Sequence, residues 1–130
     1  MYVLDTNTLI YFFKGVGNVS DSLLKNPPNR IGIPTIVLFE LEVGIAKSVS
    51  PEKRINQLAA LTSIVNILPF GMDEVRCAAT IRADIEKQGT PIGPYDILIA
   101  GTALSKKGIL VTHNTKEFGR IEGLQIEDWF

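Results

Sequence analysis

The sequence predicts an α/β fold in which helices cover both faces of a central, mostly parallel sheet of four to five strands. Four short apolar runs (YVL, IGI, VNIL and GILVT), each bounded by turn residues, recur along the 130 residues, and a fifth, weaker run lies in LQIEDWF. Runs of this length between turn signals read as buried strands. The stretches between them space their apolar residues as helices do. Strands that alternate with helices form a parallel sheet with helices on both faces.

Taken in order, Tyr2–Leu4 forms the first strand and a helix follows around Leu9–Phe13. The IGI strand ends at Pro34, and a helix runs over Thr35–Ser48 with Thr35 as its N-cap. Pro51 stands at a first-turn position behind Ser50 and opens a helix that reaches Val65. The VNIL strand stops at Pro69. Asp73–Gln88 begins with an Asp-Glu pair and meets a helix stop at Gly89; Asp96–Lys107 begins with an acid and ends on two lysines, charges that suit the helix dipole at both ends. GILVT supplies the fourth strand. No repeat, low-complexity tract or linker divides the chain, so residues 1–130 read as one domain, long enough to bury roughly two-thirds of its unfolded surface.

Composition excludes several classes. Hydrophobic residues make up 45% and charged residues 21%, the balance of a soluble globular protein. No apolar run approaches the roughly 20 residues of a membrane span, and the N-terminus lacks a signal-peptide pattern. One cysteine, Cys77, excludes an intrachain disulfide and a cysteine-rich zinc site; one histidine, His113, excludes ordinary His-based metal clusters. The expected compartment is the cytoplasm. Net charge is −1, which announces no nucleic-acid binder. Lys47, Lys53 and Arg54, then Lys106 and Lys107, then Lys116 and Arg120 cluster in sequence, and such clusters are more often solvated faces than phosphate tracks.

In a parallel sheet ligands sit beyond the carboxyl ends of the strands, and four places put acids or amides at that edge. Asp5 ends the first strand; it is equally an N-cap, with Thr6 and Asn7 as neighbouring hydrogen-bonding groups. Glu40 and Glu42 lie about 200° apart round one helix, so only one can face a shared site. Gly44, one turn beyond Glu40, leaves room beside that carboxylate. Asp96 follows a stretch rich in glycine and proline and opens an apolar helix, as a cap or as a ligand held ionised by the helix dipole. Asn114 and Glu117 have the spacing of a capping box, just past the strand that ends at Thr112. An all-oxygen set of this kind suits a hard divalent cation, Mg²⁺ or Mn²⁺, which activates water and stabilises an in-line phosphoryl displacement.

Together VLDTN, the Glu40-Leu41 pair, GPYDILIAGTA and LVTHNTKEFGRIEGLQIEDW resemble PIN-domain ribonucleases, most closely the VapC toxins of bacterial VapBC toxin–antitoxin modules. The resemblance runs from Asp5 to Trp129 with the motifs in the family's order and spacing. It implies a PIN-like three-layer α/β/α sandwich. It also implies that Asp5, Glu40 and Asp96 are the first three acids of the family's site, and it is this that selects Glu40 over Glu42. The fourth position falls on Asn114 where the family's pattern allows Asp, and Glu117, three residues on, is the acid that serves in close relatives. Thr6, Asn7 and Thr112 match the supporting polar positions. The implied activity is an Mg²⁺- or Mn²⁺-dependent endoribonuclease leaving a 5′-phosphate and a 3′-hydroxyl. Asp5, Glu40 and Asp96 would hold the metal, and Asn114 or Glu117 would orient water or a second ion. GTPIGPYD and THNTKEF look most like the branch that cuts initiator tRNA in its anticodon stem-loop. The resemblance further implies a homodimer and a small VapB-like antitoxin whose basic side chain enters the acidic groove.

Four other features are assigned to packing. His113 should point away from Thr112 and Asn114, Cys77 reads as a small packing residue, and Tyr11–Phe13 as core or dimer contact. Trp129 should cap the core edge. Two rival readings remain: a catalytically silent PIN-like module that binds RNA or protein, and a phosphotransferase with an Asp nucleophile. The second would need another Asp where this chain has Asn7.

Overall fold

In a computed structural model that describes residues 1–130, five strands form one sheet: Tyr2–Leu4 (β1), Ile31–Pro34 (β2), Asn66–Leu68 (β3), Ile109–Val111 (β4) and Gln125–Glu127 (β5). Their order across the sheet is β3-β2-β1-β4-β5 and every pairing is parallel. The central strands are buried on both faces, as expected where helices lie on each side: Val3, Leu4, Ile33, Leu110 and Val111 have no exposed surface. Helices Thr6–Lys14 (α1), Val19–Leu24 (α2), Thr35–Lys47 (α3), Glu52–Thr62 (α4), Met72–Gln88 (α5), Pro94–Ser105 (α6) and Thr115–Phe118 (α7) make the crossovers and flank the sheet. The result is the expected α/β/α sandwich, with the full five strands.

The strand order decides where a site can form. From β1 the chain builds outward through β2 to β3, then returns to place β4 on the other side of β1. The direction of winding therefore reverses between β1 and β4, the position where connections diverge and leave a crevice beyond the strand ends. Leu4 pairs with Val111, so Asp5 and Thr112 leave the sheet side by side.

Several helix boundaries differ from the sequence expectation, each for a local reason. Thr35 is the first helical residue of α3 and Pro34 occupies the cap, with no side-chain bond to the helix. Pro51 likewise sits at the cap of α4, which ends at Thr62 because Val65 is already turning into β3. Asp96 is not a cap: α6 begins two residues earlier at Pro94, a proline favoured in the first turn because its missing N–H would be unpaired there anyway. α2 was not anticipated; six residues, VSDSLL, are too few to show a period. Gly89 does terminate α5, in the left-handed conformation (φ 72°) that glycine adopts without strain.

The α5–α6 pair lies behind the site and packs through Gly101. A methyl group there would come within 2.7 Å of the Ala78 side chain and 2.9 Å of its backbone. Gly101→Ala is therefore expected to force the helices apart and destabilise the protein by about 1–3 kcal/mol, measurable as a lowered urea midpoint with an unchanged slope. Equal midpoints would show that the pair has slack. Glu74 ties the same helices together: its carboxylate accepts from the Gly71 N–H at 3.2 Å and from the Ser105 hydroxyl at 3.1 Å.

Candidate active site

Asp5 follows β1 and caps α1. Its Oδ1 accepts the Thr8 N–H at 2.9 Å, while its own N–H donates to the Val111 carbonyl at 3.2 Å. The same carbonyl accepts the Thr8 hydroxyl at 3.1 Å, which pins the start of α1 to β4. Both readings of Asp5 thus meet in one residue, since capping uses only one carboxylate oxygen. Asp5 is 4% exposed. Burial pushes its carboxyl above the ordinary range; the Thr112 and Thr8 side chains and the Thr8 N–H oppose that, and the Asp128 charge adds to it.

Glu40, in the middle of α3, is half-buried and accepts the Thr6 hydroxyl at 2.9 Å. Thr6 opens α1, so this bond links two elements 34 residues apart in sequence. Glu42 lies on the exposed side of α3, as the helical angle requires. Asn7 is exposed and its amide makes no hydrogen bond within the protein.

Asp96 stands in the first turn of α6 and is half-buried. Its carboxyl is pushed up to about 6, first by loss of water and then by the charges of Glu117, Asp5 and Glu40. Gly93 leaves the space beside it: a methyl group there would be 3.7 Å from Oδ2. The shift locates four acids, drawn from four separate segments, within electrostatic reach of one another. None of the four is in an ion pair with a Lys or Arg; the ion pairs of the molecule are Arg76–Asp73, Arg82–Glu86 and His113–Asp128.

At the end of β4, Thr112 is fully buried and its hydroxyl accepts the Asn114 N–H at 3.0 Å. Asn114 and Glu117 do not form the expected capping box. The Asn114 side chain makes no bond to the α7 backbone and instead donates from Nδ2 to Glu117 Oε2 at 3.1 Å. An amide can donate to a carboxylate where an aspartate could only repel it, so Asn114 anchors Glu117.

The donors are all hard oxygens, which suits Mg²⁺ or Mn²⁺ and not softer metals. No three of these acids stand close enough together to share an ion as they are. Glu40 is held by Thr6 and Glu117 by Asn114. A divalent cation would fit the chemistry of this set by supplying the counter-charge that its carboxylates lack.

His113 faces elsewhere. Its Nδ1 lies 2.9 Å from Asp128 Oδ2 and its ring stacks on Phe130 at 4.2 Å between centroids. Trp129 is buried against Tyr2 at the sheet edge, Phe13 is in the core, and Tyr11 packs edge-on to Phe130. Two residues that shape the site were missed from sequence: Thr8, which orients Asp5, and Asp128, which repels it. The position of Thr8, three beyond an N-cap Asp, was a readable signal. Asp128 is brought near only by the pairing of β5.

Comparison with known proteins agrees with this architecture. The PIN domain model matches residues 2–124. The chain is 37% identical over 128 residues to the tRNA(fMet)-specific endonuclease VapC of Salmonella typhimurium, covering 98% of this chain and 97% of that protein. It is 36% identical to ribonuclease VapC2 of Rickettsia felis, covering 99% and 98% of the two chains. The fold superposes on a chain of the DNA-bound VapBC crystal structure from Salmonella typhimurium with a TM-score of 0.92 at 37% identity, over 99% and 98% of the respective chains.

Proposed function

The chain belongs to the PIN domain family, and on that premise we propose that it is the toxin of a VapBC-type toxin–antitoxin pair, an endoribonuclease that hydrolyses RNA phosphodiester bonds with Mg²⁺ or Mn²⁺. The observation that carries the chemistry is the gathering of Asp5, Glu40, Asp96 and Glu117 near the ends of β1 and β4, where burial and then the charges of the other three raise Asp96. Four acids converge on the switch point of the sheet with no Lys or Arg in an ion pair with them. Such a cluster is costly unless a cation completes it.

In this reading Asp5, Glu40 and Asp96 hold the metal and Glu117 acts beside them. The ion, when bound, polarises a phosphate oxygen and makes a water nucleophilic. Thr6 positions Glu40, Thr8 and Thr112 position Asp5, and Asn114 positions Glu117. Asn114 and Glu117 together orient water on the side of the site nearest β4. Asn7 stays available to substrate at the rim. The amide at position 114 leaves three ligand acids, with Glu117 beside them to orient water or help hold a second ion.

The substrate class is RNA, and the tRNA(fMet)-specific name of the Salmonella relative makes initiator tRNA the first RNA to test. The partner is a VapB-like antitoxin, as in the VapBC complex. A basic antitoxin side chain placed among these acids would meet the same unbalanced charge that a metal does. The assembly is a homodimer acting in the cytoplasm, where its RNA is. No helix is long and apolar enough to cross a membrane.

Purified protein with initiator tRNA and with other structured RNAs, in Mg²⁺ or Mn²⁺, is expected to cut at discrete positions and leave 5′-phosphate ends. Chelator or Asp5→Asn should each stop the reaction. Cutting that survives both rejects the metal site, and failure to cut any RNA favours a silent binding module.

A further inference from the structure

A groove of about 550 Å³ opens beside Glu40 and runs between α1, α3 and α4. Glu40 is the only carboxylate that lines it, and Lys14, Lys53 and Arg54 line it as well. We propose that this groove receives the phosphate backbone of the RNA on one side of the bond being cut, with these three cations contacting successive phosphates. The proposal rests on the ribonuclease reading and deepens it by assigning where the substrate strand lies.

Three features support it. The three cations come from two helices and converge on one concavity, and none of them is in an ion pair. Arg54 is held in place: Nε donates to Gln57 Oε1 at 3.4 Å and the guanidinium lies 4.9 Å over the Phe13 ring. Gln57 is itself anchored, donating to the Phe13 carbonyl at 3.1 Å. That anchoring occupies one edge of the guanidinium and leaves its two terminal nitrogens for a bidentate contact, the geometry that recognises phosphate. Finally, the wall of the groove is bare at Gly44, one turn from Glu40, where an added methyl group would meet nothing within 4 Å. A strand of RNA could follow this wall from the cations to the acids.

The charge pattern explains how a chain of net charge −1 approaches a polyanion. The acids would repel RNA, so the attraction has to be local and adjacent to them. Counterions released from the bound phosphates then provide the affinity, which makes that affinity fall with salt.

Two variants test this. Lys14→Gln/Lys53→Gln/Arg54→Gln keeps the side-chain stems and removes the charges. Gly44→Met keeps every charge and fills the groove, at a helical position where replacing glycine favours folding. RNA binding is measured by fluorescence anisotropy in chelator across a salt series, and cleavage of the same hairpin with Mg²⁺ gives KM and kcat. The triple variant should flatten the slope of log affinity against log salt by about 2, the loss expected for three single-strand phosphate contacts. Gly44→Met should weaken binding with the slope unchanged. In both, the loss should fall mainly on KM.

A triple variant with the parent's slope and KM overturns the groove, whatever the parent cleaves. If the parent cleaves and the variants match it, the ribonuclease reading stands without this track. If the parent cleaves nothing but the triple variant loses the slope, the track stands and the nuclease reading fails. Variants that bind RNA normally but lose a co-expressed protein partner make the groove a protein-docking surface and also overturn the proposal.

Discussion

Asp96→Asn is expected to abolish RNA cleavage and, at the same time, to raise the melting temperature at neutral pH. The first effect follows from removing a ligand acid, which should cost several kcal/mol of transition-state stabilisation, on the order of a 10³-fold loss or more. The second follows from the loss of water and, after it, the neighbouring acid charges that push this carboxyl up from 3.8 to about 6. A raised carboxyl means that the folded protein holds the proton more tightly than the unfolded chain. Below pH 3.8 both states are protonated and Asp96 costs nothing. As pH rises from there towards about 6 the unfolded chain ionises first, so stability falls; above about 6 the whole penalty is present. The full shift corresponds to at most about 3 kcal/mol, and water reaching a half-buried side chain reduces this to on the order of 1 kcal/mol. Asparagine carries no charge and removes the penalty. Thermal melts in metal-free buffer should show the variant a few degrees more stable near neutral pH, with the gap closing at acid pH. A variant less stable than the parent at neutral pH would contradict the penalty that burial and the neighbouring acids place on this charge.

The combination of lost activity and gained stability separates a functional acid from a structural one. An Asp that merely capped α6 would gain no stability on substitution by Asn, an equally good N-cap, and would lose about 1 kcal/mol on substitution by Ala. Asp96 does not cap α6, because Pro94 moves the helix start ahead of it. That is one place where the sequence drew attention to the acid but misplaced the start of its helix. The acidic residue beside a glycine-proline stretch was visible; the register of the helix start depended on which of two nearby prolines, Pro91 or Pro94, opens the helix.

Other parts of the site divide along the same line. Asp5 was legible because an acid directly after an apolar strand sits at the edge where parallel sheets bind ligands. The strand order that turns this edge into a crevice is a long-range fact: it depends on β4 returning to pair with β1, more than 100 residues after β1 begins. Glu40 and Glu42 were indistinguishable by helical angle alone. What distinguishes them in the fold is the Thr6 hydroxyl, a contact between α1 and α3. Asn114 and Glu117 had the spacing of a cap, yet the pair bonds side chain to side chain, because Thr112 already holds the Asn114 N–H. Short-range patterns therefore offered the candidate acids, while the contacts each one makes come from pairings across the fold.

Binding of Mg²⁺ or Mn²⁺ is expected to be strongly linked to protons, with apparent affinity falling about tenfold for each pH unit below about 6. A carboxylate must be ionised to ligate, and Asp96 in the metal-free protein is half protonated near that pH. Binding at about pH 5 should therefore release close to one proton, and binding at about pH 7.5 almost none. Asp5 is raised as well, by burial first, so its release adds to that of Asp96 at the acid end. Calorimetric titration in two buffers of different ionisation enthalpy reads the proton count directly. The same linkage has a thermal signature: metal at about 100 times its dissociation constant stabilises the folded state by about 2.7 kcal/mol. A concentration chosen to do so at pH 7.5 should give about half that stabilisation, about 1.4 kcal/mol, at pH 5, where the affinity is about tenfold weaker. In Asp96→Asn the proton release near pH 5 should drop to whatever Asp5 alone contributes, and the residual affinity should lose most of its pH dependence. Affinity that is level from about pH 5 to about pH 7.5 in the parent would mean that Asp96 is not a ligand, and would return it to the role of a bystander at the start of α6.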